Sequence, residues 1–196
     1  MTRVLLHICC GACAIEPVGW LRGQGYEVVG LFYNPNIHPL QEYLRRRLAL
    51  AQVAERLALD VQYLDQEYAP QDFFRAVNGR EEERCGPCYA LRLKRTAAAA
   101  RALGCEIFTT TLLYSKYQQH AAIAAHGVSL AAGGGPRFLY HDFRVSWKQG
   151  IEKSKAWGIY RQQYCGCLYS EFERYSKDLE RCVSSGAATQ AIGKDT

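Results

Sequence analysis

Apolar and polar positions fall in short blocks that change period along the first third of the chain. Val4 to Ile8 is an apolar run of strand length, and Ile15 to Arg22 reads as the helix after it. Tyr26 to Tyr33 (YEVVGLFY) is rich in β-branched and aromatic residues and predicts a second strand, ended by the turn Asn34-Pro35-Asn36. Pro39 opens a helix to about Ala58, with Leu44, Leu48, Ala51 and Ala54 on one face, and Val61 to Leu64 predicts a third strand. Strands alternating with helices argue for right-handed βαβ units and an α/β fold with a three-layer parallel sheet flanked by helices.

The pattern then changes. Asn78 to Cys88 (NGREEERCGPC) is polar and punctuated by Gly and Pro, which predicts an exposed loop leading into a helix from Tyr89 to Leu103. Ile107 to Thr111 is expected as a fourth strand, Gln118 to Leu130 as a helix, and Phe138 to Tyr140 as a fifth strand after a flexible Gly133-Gly134-Gly135-Pro136 joint. From Trp147 the chain reads as a helix, a loop from Gly158 to Cys167, and a cysteine-bearing C-terminal helix from Ser170 to Cys182. Residues 1–183 are expected to form a single α/β catalytic domain, and 184–196, small and polar, a disordered tail.

Composition changes this picture in two ways. The net charge of +5, from 24 Lys and Arg against 19 Asp and Glu, is compatible with a nucleic acid partner. Nine cysteines without a signal peptide or a membrane-spanning apolar stretch point to a reducing cytoplasm, where clustered thiols mean metal or redox chemistry. No membrane role is expected.

Cys9, Cys10 and Cys13 stand just after the first strand, where open α/β sheets bind ligands, and thiolate donors select zinc, copper(I) or iron–sulfur. Cys85 and Cys88 form a CxxC. Together the two sets offer five thiols, enough for a four-thiolate cluster or for a zinc site that only ties loops together. Cys165-Gly166-Cys167 is a CxC able to cycle between dithiol and strained disulfide, or to act as further metal ligands. Cys105 and Cys182 are expected as small buried hydrophobes. His7 reads as a core histidine, and His38, His120 and His126 as surface or helix residues. His141-Asp142 follows a strand and is a candidate for proton transfer. A solvated surface explains most of Arg45 to Arg47, Arg92, Lys94, Arg95, Lys148, Lys153, Lys155 and Arg161, with a subset left to contact phosphates.

Several stretches together, in order over about residues 4 to 175, resemble the cobalamin-independent epoxyqueuosine reductases of the QueH type. They are LLHICCGAC (5–13), FYNPNIHP (32–39), RCGPCY (84–89) with Leu91-Arg92-Leu93, TTTLL (109–113) with Ser115 and Gln118, Ser154-Lys155, and YRQQYCGC (160–167). The resemblance implies a HUP-like fold, a 4Fe-4S cluster with an additional iron ion, and reduction of epoxyqueuosine to queuosine at the wobble position in the anticodon loop of tRNA. It carries cluster ligation onto Cys9, Cys10, Cys85 and Cys88, turns Cys13 toward the extra iron, and makes Cys165 and Cys167 the redox pair, resupplied by an external electron donor. Asp142, His141 or a cleft tyrosine is expected to donate the proton. The rival readings are an ATP-dependent tRNA-modifying enzyme of the same fold and a zinc-bound RNA-binding adaptor. Cys9-Cys10-Gly11-Ala12-Cys13 replaces the Ser-Gly-Gly-x-Asp-Ser phosphate loop that the first of these would need.

Overall fold

The computed structural model describes residues 1–184, so the expected tail lies outside the described residues from 185 onward. In chain order the elements are β1 (Arg3–His7), α1 (Gly11–Gly23), β2 (Glu27–Phe32), α2 (Leu40–Leu57), β3 (Asp60–Tyr63) and α3 (Pro70–Val77). There follow α4 (Cys85–Ala102), β4 (Ile107–Thr110), α5 (His120–Ala131), β5 (Arg137–Phe138), α6 (Trp147–Ala156) and α7 (Leu168–Ser184). The five strands form one parallel sheet in the order β3-β2-β1-β4-β5, as the alternation of elements predicts.

Side chains on a strand point alternately to its two faces, and β1 feeds two cores in this way. Val4, Leu6 and Ile8 pack with Ile15, Val18 and Leu21 of α1 and Leu50 and Val53 of α2. Leu5 faces the other way, into a core with Tyr89 and Leu93 of α4 and Ile123 of α5. Both faces of β1 are covered, which is why its sequence reads as a continuous apolar run. The chain winds from β1 to β2 and β3 on one side and returns to β4 and β5 on the other. The direction therefore reverses between β1 and β4, and the crevice outside their carboxyl ends is where such sheets hold ligands.

Several local expectations are corrected. The helix α3 has no counterpart in the sequence reading; Pro70 starts it, and Phe73 and Val77, one turn apart, are its buried residues. The face of α2 is different: Leu44 and Leu48 are 46% and 60% exposed, whereas Tyr43, Arg46, Ala49, Leu50 and Val53 are buried. Helix α4 starts at Cys85 rather than Tyr89, because Pro87 in a first turn removes only an N–H that has no intrahelical partner. Cys182 is exposed on α7, while Cys105 is buried as expected.

Arg46 and Arg92, expected on a solvated surface, are each 1% exposed, and His38 and His120 are buried too. His38 is stacked on Phe74 with ring centroids 4.8 Å apart, and its Nε2 bonds the Pro35 carbonyl. Arg46 is tolerated inside because each arm is satisfied. Its Nε donates to Glu42 Oε1 at 2.6 Å, Nη1 to the Cys165 carbonyl at 2.8 Å, and Nη2 to the Tyr164 carbonyl at 3.0 Å. Tyr160 donates to the other Glu42 oxygen at 2.5 Å. Among the described residues, no helix is long and apolar enough to cross a membrane.

Helices α1 and α2 cross closely at Gly11, where a Cβ would collide with the Ala49 carbonyl and lie 2.9 Å from the Leu50 nitrogen. Gly11→Ala is expected to destabilise the protein by about 1–3 kcal/mol through overpacking, read from denaturant midpoints. Arg46→Met leaves Glu42 as a buried anion with only a phenol for partner, and costs about 3–5 kcal/mol in the same measurement.

Candidate metal and redox centre

One residue, Ile8, separates the end of the first strand from the first thiol. Cys10 takes the cap position of α1 with extended backbone (φ −167°, ψ 159°), and Cys13 lies in the first helical turn. This arrangement brings Cys9, Cys10 and Cys13 together as buried sulfurs all within 4.8 Å of one another. Cys10 Sγ is 4.0 Å from Cys9 Sγ and 2.7 Å from Cys13 Sγ. The Cys9 amide donates to the Thr111 hydroxyl at 3.1 Å, and that hydroxyl donates to Cys9 Sγ at 3.3 Å, joining the β1 turn to the end of β4 across the switch point.

Hydrogen bonds from the Cys10 and Cys13 thiols, followed by that from Thr111, hold Cys9 well below the usual thiol range. Burial pushes Cys10 up, and hydrogen bonding with Cys10 pushes Cys13 up. Cys9 is the thiol of the trio shifted toward its thiolate, just before the amino end of a helix whose dipole favours negative charge. His7 beneath it is fully buried and held neutral, its pKa lowered by burial to about 4. Its Nε2 donates to the Tyr33 carbonyl at 3.1 Å, leaving Nδ1 to accept from the Thr110 hydroxyl at 2.9 Å.

The other sulfurs come from two different segments. Cys85 and Cys88, three apart in the first turn of α4, share one side of that helix. Burial raises Cys85 and pushes Cys88 up to about 12. These two do not join the compact trio, although Cys85 packs against the same apolar cluster as Cys9, Cys10 and Cys13. Cys88 instead packs with Cys167, Phe73 and Val77, so the unanticipated α3 forms the wall behind it.

Cys165 is exposed and Cys167 buried, on a loop tied down from several sides. Besides the Arg46 contacts, the His38 amide donates to the Gly166 carbonyl at 2.7 Å, and the Tyr164 hydroxyl to the His38 carbonyl at 2.6 Å. Gly166 has φ +140°, a value that side chains rarely adopt, and its Cα faces Ile37 and Arg46. Gln118 Nε2 donates to Cys165 Sγ at 3.3 Å while its Oε1 accepts from Tyr89 at 2.9 Å. Gln162 Nε2 reaches Cys13 Sγ at 3.6 Å, linking the CxC loop to the trio.

Asp142 is placed differently from the proton-transfer expectation. Its carboxylate accepts from Arg144 Nε at 2.8 Å, Nη2 at 2.7 Å and the Arg144 amide at 3.1 Å, which hold its pKa down at about 2. An acid ionised so far below neutrality has no proton to give. The neighbouring His141 ring is stacked on Trp20, centroids 3.7 Å apart. Of the side chains around the thiols, Glu42 has no counterpart in the expectations, Arg46 and Arg92 are expected on the surface, and Gln162 is expected only as part of the YRQQYCGC stretch. No local signal marks Glu42, one polar residue on a helix with many others.

The donor chemistry suits a soft metal or cluster. The trio consists of thiols alone, buried, with no carboxylate or imidazole in the group, and such donors discriminate against hard cations. With one glycine, the turn Cys9-Cys10-Gly11-Ala12-Cys13 is no glycine-rich phosphate cradle.

The family model described as "Epoxyqueuosine reductase QueH" matches residues 4–173. Epoxyqueuosine reductase QueH of Dehalococcoides mccartyi is 35% identical over 175 residues, covering 89% of this chain and 96% of that protein. The protein of the same name from Thermotoga maritima is 37% identical over 190 residues, covering 92% and 96%. Among solved structures, the U34-tRNA thiolase NcsA from Methanococcus maripaludis with its [4Fe-4S] cluster superposes with a TM-score of 0.62 at 12% identity, over 94% of this chain and 67% of that one. A chain described as a subunit of tRNA methyltransferase from Methanocaldococcus jannaschii gives 0.51 at 11% identity, over 80% and 76%. At those identities the likeness is one of fold, a parallel sheet of the HUP and Rossmann kind. The match along 4–173 and the two full-length relatives together establish that this chain belongs to the epoxyqueuosine reductase QueH family.

Proposed function

We propose that this protein reduces epoxyqueuosine in the anticodon loop of tRNA to queuosine. Family membership supports the reading, and the observation that carries it is the convergence of three buried thiols at the carboxyl end of β1, hydrogen-bonded through Gln162 to the CxC loop. Cys9, Cys10, Cys85 and Cys88 are assigned to a 4Fe-4S cluster and Cys13 to an additional iron. When bound, these centres supply single electrons and a Lewis-acid position for an oxygen.

Conversion of an epoxide to an alkene and water consumes two electrons and two protons. The Cys165 and Cys167 thiols carry that complement: forming one disulfide releases two electrons and two protons, and an external donor of two electrons, with two protons from water, then restores the dithiol. Exposure of Cys165 leaves it accessible to such a donor, while Cys167 faces inward beside Cys88. Arg46 and Gln118 hold the loop in register, one on the Cys165 carbonyl and one on its sulfur. Asp142, kept as an anion by Arg144, is left out of the proton path. The substrate's phosphates are assigned to the exposed Arg45, Lys94, Lys148 and Lys155, since Arg46 and Arg92 are buried and Arg47, Arg95 and Lys153 are ion-paired. We further assign residues 1–183 to one catalytic unit that works in the cytoplasm.

Anaerobic reconstitution followed by iron and sulfide analysis tests the centre. Iron and acid-labile sulfide in near-equal amounts are expected; zinc without sulfide would favour the adaptor reading instead. Single turnover on tRNA bearing the epoxide is expected to fall at least tenfold in Cys165→Ser and Cys167→Ser, with cluster content retained. Undiminished turnover in either variant removes the dithiol from the reaction. Asp142→Asn is expected to leave the pH profile of turnover between pH 5 and 8 unchanged, because the carboxyl titrates near 2, far below that window.

A further inference from the structure

One buried charge in this region has no counter-charge. Arg92 lies one helical turn after Cys88 on α4 and is 1% exposed. Its Nε donates to the Cys88 carbonyl at 3.3 Å, long for such a bond, and its buried Nη2 has no hydrogen-bond partner. Arg46 is equally buried but has Glu42 and two carbonyls around it. No carboxylate among the described residues makes an ion pair with Arg92. A guanidinium does not shed its proton to escape such a position, and burying it unpaired opposes folding.

The surroundings of Arg92 name the missing partner. Burial opposes the charge on Arg92, and what supports it is the negative charge that Cys88, Cys165 and Cys9 can carry, in that order, followed by Tyr89, whose ring centroid lies 5.8 Å from the guanidinium carbon. One member of each cysteine motif is thus represented: the turn after β1, the start of α4 and the CxC loop. His7, the other titratable group beneath Cys9, is neutral and offers no compensation.

We propose that Arg92 is a positioning residue for the reduction, the buried counter-cation of an anionic sulfur assembly. The inference rests on the reading of these thiols as cluster ligands. Positive charge and hydrogen bonds directed at cluster sulfur both favour the reduced, more negative state, so Arg92 raises the potential at which the centre accepts an electron. In the metal-free dithiol protein the same guanidinium is an uncompensated liability. Removing its charge therefore acts in opposite directions on the two forms.

The test uses the full chain as wild type, Arg92→Met and Arg92→Lys, prepared anaerobically. Thermal unfolding of the metal-free proteins and a mediated redox titration of the reconstituted proteins are the two readouts. Arg92→Met is expected to unfold at a higher temperature than wild type when metal-free. Reconstituted, it is expected to show at least a tenfold smaller equilibrium constant for one-electron reduction, a midpoint about 59 mV more negative. Arg92→Lys keeps the charge and is expected to stay near the wild-type midpoint. A metal-free Arg92→Met that is less stable than wild type, or does not fold, overturns the proposal. So does a midpoint equal to wild type, or a lysine variant that shifts as far as methionine. Wild-type protein that takes up no iron refutes the cluster reading instead, and the metal-free unfolding comparison still decides whether Arg92 is an uncompensated charge.

Discussion

Among the described residues two arginine side chains lie in the interior, and the satisfaction of one of them, Arg46, orders the loop beside the thiols. Arg46 reaches inward from α2 to Glu42, one turn before it, and spends its remaining donors on the carbonyls of Tyr164 and Cys165. Those carbonyls belong to a loop without regular structure, which has few ladder bonds of its own to hold it. The loop is therefore ordered by the charge it satisfies: if it moved away, a guanidinium would be left in a medium of low polarity. Helix α2 also crosses α1 at Gly11, between Cys10 and Cys13. One helix thus sets the position of the CxC loop and the first turn of α1 together.

The parallel sheet supplies the other constraint. Reversal of winding direction between β1 and β4 opens a crevice at their carboxyl ends, and Cys9 and Thr111 face each other across it in two hydrogen bonds. Where a nucleotide-binding relative of this fold would use glycines and backbone amides to cradle phosphate, this turn presents sulfur. The same helix amino terminus that suits phosphate also favours a thiolate, and Cys9 is the member of the trio whose pKa is lowered.

The cysteine motifs meet unequally. Cys9, Cys10 and Cys13 are compact because they span one strand-to-helix turn, so local geometry alone gathers them. Cys85 and Cys88 stand on a different helix, and Cys165 and Cys167 on a loop some eighty residues later in the chain. These are held by tertiary contacts: Cys88 and Cys167 through the wall made by α3, and Cys165 through Gln118 and Tyr89. Arg92, one turn of α4 after Cys88, holds the carbonyl of that residue.

By itself, the sequence determined the parallel α/β sheet, the order of its strands and helices apart from α3, and the identity of the thiols. Each of these is written in a local pattern: apolar runs at strand length, helical spacing, and cysteines close together in CCxxC, CxxC and CxC. The inward face of α2, the burial of Arg46, Arg92, His38 and His120, and the pairing of Asp142 with Arg144 were decided only by the tertiary structure. A polar side chain is buried when partners arrive from distant segments to satisfy it, and periodicity along one helix carries no record of those partners. Arg45, Arg46 and Arg47 look alike in sequence; only the carbonyls of Tyr164 and Cys165, more than a hundred residues away, single out the middle one.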